Sequence, residues 1–217
     1  MMSWRDKHPI GYFNNGNETT EHALLSVIHS TKTVFRPLPG SESRRVDLED
    51  RIMLGVDCDE VYPNILIGDA GAAKNKQYLR KIGVTHVLNT AEGNRFGMVN
   101  TSRDYYRDSG IKYMGLQLQD LPVTNIALYF EEAADFIEEA IKSGGKVLVH
   151  CLMGMSRSST CVLAYLMIKE RLPAAVAIKM VRTNRDIRPN NGFLRQLADL
   201  DNRLKRERQR AAEKYNL

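Results

Sequence analysis

No run of about 18 apolar residues occurs anywhere in the 217-residue chain, so no segment is expected to cross a membrane as a helix. The first residues, Met1-Met2-Ser3-Trp4-Arg5-Asp6-Lys7-His8-Pro9, have no apolar stretch behind them, and secretion is not expected. Cysteine is scarce. Three residues (Cys58, Cys151, Cys161), odd in number and unevenly spaced, exclude a disulfide framework and suit a reducing compartment, cytoplasmic or nuclear. Internal repeats and low-complexity segments are absent.

What is present fits a globular chain: 43% hydrophobic and 26% charged residues, enough length for one domain with a real core. The net charge of +5 raises the question of a nucleic-acid partner. Its location answers that question. Residues 203–217 hold six bases (Arg203, Lys205, Arg206, Arg208, Arg210, Lys214) against Glu207 and Glu213, so the other 202 residues carry about +1. This pattern reads as a solvated, basic helix end on a near-neutral domain, and no nucleic-acid partner is expected.

Residues 1–55 differ from the rest. Asn14-Asn15-Gly16-Asn17 and Pro37-Leu38-Pro39-Gly40-Ser41 bracket one helical piece near residues 20–30, which describes an extension rather than a second domain. Beyond it, strand patterns at 61–67, 85–89, 113–118 and 146–150 alternate with helical patterns at 72–81, 102–108, 126–142, 158–169, 174–183 and 192–210. Ile126, Phe130, Ala133, Ile137 and Ala140 form one helical stripe, stopped by Gly144-Gly145. Phe193, Leu197, Leu200 and Leu204 form another. The alternation predicts an α/β fold, a mostly parallel sheet with helices on both faces. The boundaries expected are an extension over 1–55, a catalytic domain over 56–206 and a basic tail over 207–217.

Chemistry concentrates in one place. The buried-strand pattern Lys146-Val147-Leu148-Val149 runs into His150-Cys151-Leu152-Met153-Gly154-Met155-Ser156-Arg157-Ser158, and a long apolar helix follows. A strand, a tight loop and a helix start make an anion site, because unpaired N–H groups and the helix dipole converge there. Cys151 opens the loop where positive potential depresses a thiol pKa. Gly154 permits backbone geometry closed to other residues. Arg157 offers a planar fork of donors to two phosphate oxygens at once, and Ser158 can hydrogen-bond the sulfur. Cys161 falls on the apolar face of the helix and reads as core. Cys58 reads as an ordinary thiol, with redox partnership to Cys151 as the alternative.

These residues resemble the HCxxGxxR[ST] signature of cysteine-dependent protein tyrosine phosphatases. More narrowly, the chain resembles atypical dual-specificity phosphatases of the vaccinia-H1-related group, through Asp59-Glu60-Val61-Tyr62-Pro63-Asn64, Gly83-Val84-Thr85-His86-Val87-Leu88-Asn89, Ala91-Glu92-Gly93, the Tyr129–Ile137 run and Pro189-Asn190-Asn191-Gly192-Phe193-Leu194. The resemblance spans about residues 57–206 and implies a central sheet of about five strands. It further implies hydrolysis of phosphotyrosine and phosphoserine/phosphothreonine through a phosphocysteine on Cys151, without cofactor or metal. Arg157 and the loop amides of Leu152, Met153, Gly154, Met155 and Ser156 would hold the phosphoryl oxygens. Asp120, in Gln119-Asp120-Leu121-Pro122 and 31 residues before Cys151, takes the place of the family's general acid and base. His150 would orient the loop.

Arg185 matches a rim arginine that in this group can meet a second phosphate, and Arg188 adds a base nearby. Bisphosphorylated kinase activation loops are the partner class this implies. The loop interior holds two Met and no Lys, which disfavours phosphoinositides, and no membrane partner is expected. Arg44-Arg45 followed by Ile52-Met53-Leu54 loosely matches a basic-then-hydrophobic kinase docking segment, against ordinary extension structure. His22 and His29 share a helical face without further ligands, and Gly68-Asp69-Ala70-Gly71 is too poor in glycine for a dinucleotide fingerprint. The alternative functional class is a pseudophosphatase or scaffold that binds phosphoresidues, against which the joint retention of Cys151, Arg157 and Asp120 argues.

Overall fold

A computed structural model describes residues 18–41 and 48–215. The turn expected at residues 14–17, the Arg44-Arg45 pair and the final two residues lie outside the described residues.

Five strands form one sheet in the order β1-β2-β5-β3-β4: β1 (Cys58–Tyr62), β2 (Ile65–Gly68), β3 (His86–Asn89), β4 (Lys112–Gly115) and β5 (Val147–His150). β2, β5, β3 and β4 run parallel, and β1 pairs antiparallel with β2. The continuous run expected at 61–67 is therefore a hairpin. Pro63 has no N–H for a ladder and Asn64 adopts a left-handed φ of 64°, which turns the chain.

β5 is central and buried throughout, and its alternation serves two cores. Val147 and Val149 face one cluster with Ile65, Ile67 and Leu88; Leu148 faces the other with Leu66 and Val87. The first cluster lies under α5 (Phe130–Lys142), α6 (Arg157–Ile168), α7 (Ala174–Asn184) and α8 (Asn191–Tyr215), numbered after four shorter helices. Those are α1 (Glu21–Ser30), α2 (Leu48–Leu54), α3 (Ala70–Lys74) and α4 (Lys76–Lys81).

α5 buries Phe130, Ala133, Ile137 and Ala140, the expected stripe, while Ile126 sits on a preceding 3₁₀ turn. The helix expected at 72–81 is two: Asp69 caps α3 through Ala72 N–H, and Asn75 breaks the run and caps α4 through Tyr78 N–H. Residues 102–108 form turns and a 3₁₀ segment instead of a helix. Tyr105 and Tyr106 there donate their hydroxyls to the carbonyls of Lys74 and Ala73, docking the segment onto α3. α8 runs unbroken through Arg206, where the tail boundary was expected, and its last turns are exposed. Ile52 and Met53, the hydrophobic part of the supposed docking segment, stand exposed on α2.

The parallel register aligns the strand ends. Gly68 and Asn89 flank His150, and Gly115 pairs with Asn89, so the carboxyl edge is level where β5 meets the Cys151 loop. Ligands of open α/β sheets bind outside that edge.

Candidate active site

Cys151 follows β5 directly and is 2% exposed. Gly154 N–H donates to its Sγ at 3.2 Å, and Ser158 Oγ lies 3.4 Å from the same sulfur. Burial raises the thiol pKa, but the Ser158 contacts, the Arg157 charge and the Met155 N–H outweigh it, and the net direction is down.

The loop's peptide planes explain why its amides face inward. Leu152 C=O accepts from Ala70 N–H at 3.0 Å, Met153 C=O from Arg185 Nη2 at 3.1 Å, Gly154 C=O from Arg185 Nε at 2.7 Å and Met155 C=O from Arg188 N–H at 2.8 Å. In a trans peptide the C=O and the following N–H point oppositely. Four carbonyls tied outward therefore aim the N–H groups of Met153, Gly154, Met155 and Ser156 toward the sulfur and the space above it. Gly154 holds φ 67°, and a Cβ there would stand 2.5 Å from the Gly68 carbonyl oxygen.

Arg157 opens α6 and is 4% exposed. Its Nη1 donates to the carbonyls of Gly97 and Leu118, each at 3.0 Å, which fixes the guanidinium plane. Its buried Nε has no hydrogen-bond partner among the described residues and lies 3.6 Å from Asp120 Oδ2. Asp120 is held by its other oxygen, which accepts from Ser156 Oγ at 2.7 Å and Asn190 Nδ2 at 2.9 Å. The 92–98 loop that backs Arg157 is anchored by buried Asn89, which donates to Val99 C=O and Thr101 Oγ1. Between that loop and residues 117–121 opens a cleft of about 760 Å³ with Arg157 and Asp120 in its wall.

His150 is wholly buried, with Nδ1 3.2 Å from Cys151 C=O. Burial pushes its pKa down to about 4, with the Arg157 charge adding to the fall, so at neutral pH the ring is an uncharged packing and hydrogen-bonding group.

The chain thus brings Cys151, the 152–156 loop, Arg157, Ser158 and Asp120 together. Arg185 departs from its expected place at the rim. It is 4% exposed, and besides the two loop carbonyls its guanidinium bonds Asp57 and Asp59 at 2.7 and 2.6 Å. A group enclosed by two carboxylates has no face left for a second phosphate. Arg188 is exposed and pairs with Asp186. Cys58 sits across Gly68 from His150, two strand spacings or about 10 Å away, beyond disulfide reach of the Cys151 loop without backbone movement. Asp57, Asp59, Ser156 as a donor to Asp120, and Asn190 as its second donor carry no local signal in the sequence. Only the Pro189–Leu194 and Asp59–Asn64 stretches pointed to their neighbourhood.

A thiol of lowered pKa inside a ring of amides, with a buried arginine beside it and a carboxylate across the cleft, defines a cysteine-dependent phosphatase. The dual specificity phosphatase catalytic-domain family matches residues 65–203, and the chain belongs to that family as a dual-specificity protein phosphatase. It is 46% identical over 148 residues to human dual specificity protein phosphatase 26, covering 68% of each chain. With human dual specificity protein phosphatase 13B it shares 47% over 150 residues, covering 69% of this chain and 75% of that one. The crystal structure of human DUSP28 superposes with a TM-score of 0.60 at 26% identity, over 81% of this chain and 99% of that one. A mouse putative dual specificity phosphatase complexed with zinc tungstate gives 0.60 at 27%, over 69% and 89%.

Proposed function

We propose that Cys151 is the nucleophile, Arg157 and the 152–156 amides the phosphate site, and Asp120 the general acid and base. The observation that carries this reading is the Cys151 sulfur receiving Gly154 N–H beside Ser158 and Arg157. The thiolate attacks phosphorus, an S–P bond forms, and the P–O bond to the Tyr, Ser or Thr oxygen breaks as Asp120 gives that oxygen a proton. Water then attacks the phosphocysteine, Asp120 takes its proton, and inorganic phosphate leaves as the thiolate is regenerated. Arg157 and the amides bind the equatorial oxygens most tightly in the transition state. Ser158 eases departure of the sulfur, and His150 orients the loop through the Cys151 carbonyl.

Residues 56–206 form the catalytic domain in this reading, and cytoplasm or nucleus is its setting, supported by three free, buried cysteines. The substrates are single phosphoresidues of proteins. Bisphosphorylated kinase activation loops now find support only in Arg188, since Arg185 is enclosed. Hydrolysis of para-nitrophenyl phosphate tests the nucleophile: Cys151→Ser should lose turnover while still binding phosphopeptide. Wild-type turnover by that variant would refute the assignment.

A further inference from the structure

We propose that Arg51, on a helix ahead of the family-matched segment, is a positioning residue for the phosphate loop, acting through Asp57, Asp59 and Arg185. The inference rests on the phosphate-site reading above and concerns what holds that site in shape.

Arg51 Nη1 donates to Asp57 Oδ1 at 2.7 Å and Nη2 to Asp59 Oδ1 at 2.6 Å. The opposite oxygens of the same carboxylates accept from Arg185, Asp57 Oδ2 at 2.7 Å and Asp59 Oδ2 at 2.6 Å. Two guanidiniums and two carboxylates alternate in a ring, so every charge has two opposite neighbours. Arg51 also ties Cys58 C=O and Arg36 C=O, which pins the ring to β1 and to the chain before α2.

The remaining donors of Arg185 hold the carbonyls of Met153 and Gly154. These are the peptides whose N–H groups, on Gly154 and Met155, turn inward toward the sulfur. The direction of those amides is therefore set from outside the site, by a guanidinium whose own position depends on two carboxylates. Without Arg51, Asp57 and Asp59 repel each other across a single counter-charge, and Arg185 loses its fixed seat. A fraction-of-an-ångström shift at such a seat is felt as misaimed oxyanion donors.

The test compares the full chain with Arg51→Met and Arg51→Lys, using orthovanadate inhibition, para-nitrophenyl phosphate turnover and amide hydrogen exchange. In Arg51→Met, vanadate affinity and kcat/KM should fall about 10- to 100-fold. Exchange should quicken at Gly154 and Met155 while the β3 and β5 amides keep parent protection. Lysine keeps the charge but lacks the planar fork that meets each carboxylate with its own nitrogen, so Arg51→Lys should show the same changes at smaller size. Parent-like vanadate affinity and loop exchange in Arg51→Met overturn the proposal, whatever happens to its melting temperature. If Arg51→Met does not fold, the same parent-like result in Arg51→Lys overturns it. An unsubstituted protein indifferent to vanadate would overturn the phosphate-site reading itself, and this proposal with it.

Discussion

Burial pushes Cys58 and Cys161 up to about 12, yet Cys151, just as deeply buried, is shifted down. The difference lies in what touches the sulfur: Gly154 N–H, the Ser158 hydroxyl and the Arg157 charge against none of these at Cys161. A lowered thiol pKa means thiolate at pH values where ordinary thiols are protonated. Iodoacetate should therefore alkylate Cys151 with a pH midpoint below the usual 9.0, leaving Cys58 and Cys161 unmodified. Ser158→Ala removes a contact that favours the thiolate, so it should move that midpoint upward. His150 gives a second pH dependence, of stability. Its pKa falls from 6.5 to about 4 on folding, so the neutral ring is favoured in the native state. The stabilisation is complete above 6.5 and is lost as pH falls toward 4, on the order of 3 kcal/mol in all. Urea unfolding from pH 7 to 4 should show this slope, and His150→Gln should flatten it.

Two elements meet at Asp120, the proposed general acid. α8 begins beside the 119–124 loop, where Asn190 accepts from Phe193 N–H and donates to Asp120. Gly192 is the contact point: a Cβ there would come within 1.9 Å of the Pro122 carbonyl oxygen. Gly192→Ala should push the loop away and lower kcat about 10-fold or more. The loss should grow for aryl phosphates with poorer leaving groups, while Cys151 alkylation stays at the parent rate. Such junctions explain what was legible in the sequence. The Cys151–Ser158 loop is contiguous, and its strand and helix carry their periods in adjacent residues. β1 and β2 read as one strand because apolar residues continue across a turn that depends on Pro63 and the left-handed Asn64. The helix expected at 102–108 failed because Tyr105 and Tyr106 bond carbonyls about thirty positions away. Arg185 was misplaced for the same reason, its partner Asp59 being 126 positions distant.

The largest question of scale is whether residues 18–41 belong to the domain or hang from it. α1 packs on α7 and α8, and Leu24 and Ile28 lie within the main hydrophobic cluster. Thr19 N–H donates to Asn202 Oδ1 at 2.8 Å and its C=O accepts from Asn202 Nδ2 at 2.9 Å, while its hydroxyl donates to Asp201 Oδ2 at 2.6 Å. Asp201 is itself buried and accepts from Ala174 N–H with its other oxygen, so one carboxylate joins the segment leading into α1 to α7 and α8. Val34 N–H then donates to Thr183 C=O at the far end of α7. An appendage would melt apart from the domain and leave its transition unchanged. A segment sharing the core must melt with it. Leu24→Ala should therefore lower the stability of the whole chain by about 2–5 kcal/mol in a single cooperative transition. Far-ultraviolet circular dichroism and the loss of para-nitrophenyl phosphate turnover should follow that transition together. Two separated transitions, or a main transition indifferent to Leu24, would mean that α1 is an independent unit after all.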